Sequence, residues 1–386
     1  MNKYLKVTKF IKSLYPGQNP VPLHAPVFLG KEKEYLMECI DSTFVSYVGK
    51  YVTKFEEMTA EFTGAKYAVA IVNGTAALHI ALRIAGVQYG DEVITQPLTF
   101  VATANAIVHC GAKPIFVDVD LDTMGMSPEK LNDWISKNVE YNHSTKRTIN
   151  KTTGCHISAI VPMHTFGFPC RIDDIVKIGS KFNIPVIEDS AESIGSFYKG
   201  KHTGTFGLAG VLSYNGNKTI TTGGGGMIIT DDESFARNVK HLTTTAKIPH
   251  RWEFVHDEVA YNYRLTNLSA AVGVAQMEYI DKILLNKRNT AERYKQFFES
   301  SDIEFLREPR NSISNYWLNS IKLKNREARD NFLEYVNNNG VMARPIWRLM
   351  NKLEMYTHCQ CSDIENSELL ENCVISIPSS VISNLS

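Results

Sequence analysis

Lys218 is the residue whose type and surroundings most invite chemistry in this 386-residue chain, because it stands in SYNGNKTITTGGGGMIITDD (213–232), just ahead of Gly223 to Gly226. A cation beside so much permissive backbone first suggests a phosphate cradle. A P-loop needs G-x-x-x-x-G-K-[ST], so that backbone N–H groups and the lysine converge on one polyphosphate. Here Gly210 is followed by five residues and then Gly216, Asn217, Lys218 and Thr219, so the spacing fails. A dinucleotide fingerprint opens a helix, whereas Met227, Ile228 and Ile229 continue these glycines as a short apolar, strand-like run. Asp231 and Asp232 then read as a turn and a helix cap. On the tract alone, a glycine-rich loop between two strands with an ordinary surface lysine stays open.

The elements around the tract narrow the choice. From about residue 65, short apolar runs alternate with helical patterns: YAVAIV then GTAALHIALRIAG, EVIT then TFVATANAIVHCG, PIFVDV then SPEKLNDWISK, ISAIVPMH then RIDDIVKIGSKF, followed by IPVIED and VLSY. That order predicts a mostly parallel sheet covered by helices on both faces. The polar stretch 139–154 reads as a surface excursion. Helical patterns at 281–300 and 325–340 flank a strand-like run at 317–323, the make-up of a small α+β unit. The expected division is an N-terminal helical segment (1–45), a large domain (46–280) and a small C-terminal domain (281–386).

Open α/β sheets bind ligands beyond the carboxyl ends of their strands. Asn73, Gly74 and Thr75 follow the first run and open a helix, whose free N–H groups can hold a phosphate monoester. Pro97, Thr99 and the aromatic Phe100 follow the second run, Glu188 and Asp189 end IPVIED, and Ser213 and Lys218 follow VL. A phosphate seat, an aromatic face, a carboxylate and a lysine are the parts that pyridoxal phosphate needs: the lysine for a Schiff base, the carboxylate for the pyridine nitrogen. Each has a plainer reading, Asn73 and Asp189 as caps and Phe100 as core, but their shared place at successive strand ends favours the joint one. His164 ends another such run and is a site candidate, with a hydrogen-bonded structural histidine as the alternative.

Composition agrees with a small-molecule enzyme. The balance of 41 basic and 41 acidic residues argues against nucleic acid or a membrane surface as partner. Seven cysteines without a signal sequence suit reduced thiols, and no apolar run approaches 18 residues, so a cytoplasmic protein is expected. The N-terminal pattern, lysines at 3, 6, 9 and 12 opposite Leu5, Phe10 and Leu14, reads as an amphipathic surface helix. His358, Cys359 and Cys361, and Cys155 with His156, lack structural-zinc spacing, so no metal is predicted.

Several blocks in one order resemble the sugar aminotransferases of the DegT/DnrJ/EryC1/StrS family: KYVTKFEEMTAEFTGAKYAVAIVNGTAAL (50–78), GDEVITQPLTFVATANAI (90–107), IPVIEDSAESIGSFYKGKHTGTFG (184–207), NKTITTGGGGMIITDD (217–232) and YNYRLTNLSAAVG (261–273). The resemblance spans nearly the whole chain and, within the family, looks closest to nucleotide-sugar C4 aminotransferases of legionaminic-acid type. It implies a type I aminotransferase fold, pyridoxal 5'-phosphate as cofactor and a homodimer. Lys218 matches the Schiff-base lysine, Asp189 the partner of the pyridine nitrogen and Phe100 the aromatic against the ring. Gly74, Thr75 and Ser213 match phosphate contacts, and Asn262 matches an asparagine that reaches the partner's cofactor phosphate. Arg264 shares that motif. Two positions depart from the family: Glu192, expected to contact the cofactor ring region, stands where many relatives carry Gln or His, and Gly224 replaces the glutamate of T-T-G-E-G-G. Relatives that remove a sugar hydroxyl have a histidine in place of the lysine, and Lys218 argues against that chemistry.

The implied reaction moves an amino group from L-glutamate to C4 of a nucleotide-linked 4-keto-6-deoxy sugar, with UDP-2-acetamido-4-keto-2,6-dideoxyhexose as the first expectation. A GDP-4-keto-6-deoxymannose acceptor, giving a perosamine-like product, is the alternative. A catalytically silent binding protein of the same fold is the competitor from another class. Arg251, Arg344 and Arg348 are candidate partners for the substrate diphosphate.

Overall fold

A computed structural model describes residues 3–382 except 143, 145 and 146. Seven strands form its central sheet: β1 (Tyr67–Ile71), β2 (Glu92–Thr95), β3 (Lys113–Phe116), β4 (Ile157–Val161), β5 (Ile187–Asp189), β6 (Ala209–Ser213) and β7 (Gly226–Thr230). The spatial order is 3-2-4-5-6-7-1, with parallel bridges Ile160↔Val186 and Met163↔Asp189 joining the two halves at β4 and β5. Only β7 runs against the others, pairing antiparallel with both β6 and β1. The reversal is made by the loop 214–225, which carries Lys218 and the glycines.

Among the described residues, twelve helices surround the sheet or adjoin it: α1 (Lys3–Leu14), α2 (Glu32–Asp41), α3 (Lys50–Thr63), α4 (Gly74–Ile84), α5 (Val101–His109), α6 (Pro128–Asn138), α7 (Ile172–Lys181), α8 (Glu233–Thr243), α9 (Asn267–Met277), α10 (Ile280–Phe298), α11 (Arg326–Asn338) and α12 (Glu365–Cys373). The period-2 alternation of strand side chains assigns them to faces. Val69, Ile71, Val211 and Ile228 pack with α4, α5 and α8, whereas Ala68, Ala70, Leu212 and Met227 pack with α3 and α9. Further along that second side, Ile94, Ile115 and Ile160 pack with α6 and α7. Burial on both faces explains why these strands read as unbroken apolar runs.

The C-terminal unit is an antiparallel sheet in the order Glu304–Phe305, Asn319–Lys322, Val374–Ile377, Arg344–Pro345, packed against α10 and α11. Helix α1 buries Val7, Ile11 and Leu14 in this same core, beside Tyr294, Phe332 and Val336. The expected face of Leu5, Phe10 and Leu14 is therefore shifted: Leu5 is only half-buried, and Phe10 flanks the core and stacks on Phe297 with ring centroids 4.0 Å apart. The stretch expected as a surface excursion contains a hairpin, Val139–Asn142 paired with Arg147–Asn150, with 143, 145 and 146 outside the described residues. All seven cysteines are free, and no helix among the described residues is long and apolar enough to cross a membrane.

Candidate active site

The carboxyl ends of β1, β2, β5 and β6 open on one cavity of about 660 Å³. Lys218 enters it from the β6–β7 loop, and among the described residues it is the one primary amine in the lining. Its Nζ lies 3.1 Å from Glu192 Oε1 and 4.0 Å from the centroid of the Trp317 ring. Glu192 is buried, and its Oε2 accepts the Phe166 N–H at 2.9 Å. Burial pushes the Glu192 carboxyl up to about 7, against the pull of the Lys218 cation.

Asp189, at the end of β5, is buried beneath the cavity. Thr103 Oγ1 donates to its Oδ2 at 2.6 Å and the Ala191 N–H to its Oδ1 at 3.1 Å, which fixes the carboxylate plane. Desolvation raises its pKa, so the carboxylate gains from any cationic partner brought to it.

At the end of β1, Asn73 caps α4 by accepting the Ala76 N–H at 2.8 Å, and Gly74 and Thr75 sit at the helix start, where N–H groups have no partner within the helix. Two glycines let the backbone close around that seat. A Cβ on Gly74 would lie 3.1 Å from Ser213 Cβ, and one on Gly226 would lie 2.6 Å from the Asn73 carbonyl carbon. Phe100, half-exposed at the start of α5, lines the side.

An amine, a buried carboxylate, a helix start beside a serine and an exposed aromatic face are the donor set for pyridoxal phosphate, and the residues fit it. Lys218 would hold its aldehyde carbon, Asp189 its ring nitrogen, and Gly74, Thr75 and Ser213 its phosphate.

Four candidates lie elsewhere. His164 is fully buried, with Nε2 3.0 Å from Glu188 Oε2 and Nδ1 accepting the Cys170 N–H at 3.2 Å, so neither ring nitrogen is left for a ligand. Glu188 also accepts N–H groups from Gly204, Phe206 and Gly207, so the pair ties strands together beneath the site. Arg264 Nη2 donates to Glu56 at 2.6 Å while its buried Nη1 has no hydrogen-bond partner among the described residues, and Glu56 also accepts the Ala70 N–H of β1. Arg251 is exposed, 5.5 Å from the centroid of the Trp252 ring, and Asn262 is exposed where it bridges Thr244; neither lines this chain's cavity. Arg344 and Arg348 do line it, and Arg348 has no partner among the described residues.

Sequence reasoning missed Leu23, Phe166, Trp317 and Trp347, which complete the wall. Trp347 lies 4.8 Å from Phe166 and 6.2 Å from Phe100, measured between ring centroids. Leu23, Trp317 and Trp347 come from the N-terminal segment and the C-terminal unit, where no strand-end rule applies, whereas Phe166 follows β4 two residues beyond His164 and could have been found by that rule. A second hollow of about 700 Å³, along Phe298–Arg310, is lined largely by charged surface side chains and gathers no comparable set.

Comparison with known proteins agrees with this geometry. A model of the DegT/DnrJ/EryC1/StrS aminotransferase family matches residues 29–384. A GDP-perosamine synthase from Escherichia coli O157:H7 is 39% identical over 87% of both chains, and one from Vibrio cholerae is 37% identical over 88% of both. Among solved structures, Helicobacter pylori PseC, an aminotransferase involved in the biosynthesis of pseudoaminic acid, superposes with a TM-score of 0.86 at 23% identity, covering 95% of both chains.

Proposed function

The chain belongs to the DegT/DnrJ/EryC1/StrS aminotransferase family, whose members depend on pyridoxal phosphate, and from that premise we propose that it aminates C4 of GDP-4-keto-6-deoxymannose with L-glutamate as donor. The observation that carries the reading is the meeting of Lys218 and Asp189 in one cavity with a helix start. The two relatives named GDP-perosamine synthases support the guanosine nucleotide over the UDP-2-acetamido sugar and over the legionaminic-acid subfamily.

Bound in the cavity, the cofactor supplies an electron sink. This chain's residues do the rest. Lys218 Nζ would carry the proton from the donor's α-carbon to the cofactor's former aldehyde carbon and, in the second half-reaction, carry one from that carbon to C4 of the sugar. Glu192, 3.1 Å away and titrating near neutrality, takes up the proton that the lysine must shed to act as a base. Asp189, oriented by Thr103 and the Ala191 N–H, holds the proton on the ring nitrogen. Phe166, Trp317 and Trp347 keep water from the lysine, and Arg344 and Arg348 at the mouth suit a diphosphate. Two half-reactions through one amine predict ping-pong kinetics. The chain works as a homodimer in which Asn262 reaches the partner's cofactor phosphate; its exposed position and the exposed Trp252, Phe254 and Val259 nearby support this.

The test is a substrate panel. Purified protein with pyridoxal phosphate and L-glutamate is offered GDP-4-keto-6-deoxymannose and UDP-2-acetamido-4-keto-2,6-dideoxyhexose, and amino-sugar nucleotide and 2-oxoglutarate are quantified. The expected result is turnover of the GDP sugar at least tenfold faster in kcat/KM. Lys218→Ala is expected to lower kcat by 10³ or more and to abolish the absorbance of lysine-bound cofactor. Preference for the UDP sugar overturns the nucleotide assignment, and protein that takes up no cofactor overturns the whole reading.

A further inference from the structure

The wall behind Lys218 is supplied by the chain entering the C-terminal unit. Asn315 Nδ2 donates to the carbonyls of Glu192 at 2.8 Å and Ile194 at 2.9 Å, while its Oδ1 accepts the Trp317 N–H at 2.8 Å. This turn is therefore locked onto the loop that carries Glu192. Trp317, buried apart from the face it turns to the cavity, then grips the lysine loop at two points. Its indole N–H donates to the carbonyl of Asn217 at 2.6 Å, the peptide immediately before Lys218, and Lys218 Nζ stands 4.0 Å from its ring centroid. The carbonyl of Trp317 in turn accepts from the buried Lys287 Nζ at 3.2 Å, anchoring it to α10. A cation over an indole face is attracted by the ring quadrupole, most strongly where little water intervenes.

We propose that Trp317 is a positioning residue for the catalytic amine: its ring face favours the protonated form of the Lys218 nitrogen, and its N–H fixes the peptide from which that side chain starts. The proposal rests on the reading of Lys218 as the cofactor lysine. Other titratable or charged groups near this nitrogen are Glu192, Asp189, His24 on the N-terminal segment, and Arg344 and Arg348 in the same lining. All of them remain in the variants below, and the fluorinated series also keeps the N–H to Asn217, so a change across that series reports the ring face.

The experiment uses the holoenzyme. Borohydride reduction followed by peptide mass mapping identifies the lysine that carries the cofactor, and the visible absorbance is then titrated with pH. Fluorinated tryptophans placed at 317 keep the shape and the N–H but drain the ring face; they are expected to lower the midpoint in steps with the number of fluorines. Trp317→Leu is expected to lower it by about one pH unit, a tenfold change in proton affinity, and Trp317→Phe by less. A midpoint that stays constant across the fluorinated series, with Lys218 still the modified residue, overturns the proposal. Cofactor trapped on another lysine overturns the underlying reading instead.

Discussion

At the scale of single residues, Glu192 is proposed to take the proton that Lys218 sheds. A carboxyl held near 7 is half-ionised at neutral pH, so small changes of pH switch the charge that stands 3.1 Å from the Lys218 amine. Glu192→Gln keeps the size and the acceptor for the Phe166 N–H. It is expected to remove the acid limb near pH 7 from the kcat/KM profile and to lower kcat about tenfold; a limb that persists unchanged assigns it to another group. The same group leaves a mark on stability. The folded, cofactor-free protein keeps the Glu192 proton up to about pH 7, whereas the unfolded chain releases it near 4.5. The folded state thus binds the extra proton across that window, and stability falls as pH rises through it. Relative to Glu192→Gln, the Tm of the unaltered protein should therefore decline between pH 4.5 and 7 and level off above; a difference that is flat with pH refutes the assignment.

At the scale of elements, the start of α4 does two jobs that one substitution separates. Asp in place of Asn73 still offers an oxygen to the Ala76 N–H, so the helix remains capped and stability should change by less than about 0.5 kcal/mol. The added charge stands where the cofactor phosphate is proposed to sit, so the dissociation constant for pyridoxal phosphate is expected to rise on the order of tenfold. Unchanged affinity by equilibrium dialysis places the phosphate elsewhere. Strand ends of this kind were legible in the sequence: Gly74, Phe100, Asp189, Ser213 and Lys218 each follow an apolar run, and the sheet brings all five to one cavity. For His164 the structure shows the hydrogen-bonded structural alternative, and Arg264 stands outside the cavity lining; their carboxylate partners, Glu188 and Glu56, are 24 and 208 residues away, and local pattern does not reveal who pairs with whom. Trp317 and Trp347 escaped for the complementary reason, since they reach the cavity by packing of a unit whose own pattern announces only a sheet and a helix.

At the scale of the whole molecule, the proposed dimer makes a prediction that no single chain can satisfy. If Asn262 serves the partner's site, Lys218→Ala and Asn262→Ala chains fail separately, but a mixed dimer contains one site with both residues intact. Co-expression should then restore about a quarter of the unaltered activity, because half the dimers are mixed and each has one working site. Absence of rescue means that Asn262 acts within its own chain or not at all.

The chain also crosses between its two halves twice: α1 lies in the core of the C-terminal unit, the segment after it runs past Leu23 in the cavity wall to α2 against α9, and α10 leads back. Made on a ribosome, Val7, Ile11 and Leu14 precede their partners Phe332, Val336 and Ile375 by more than 300 residues, tens of seconds at typical rates of elongation. During that interval the apolar stripe of α1 lacks these partners, and it is there that a chaperone holding the unfinished protein would be expected to bind.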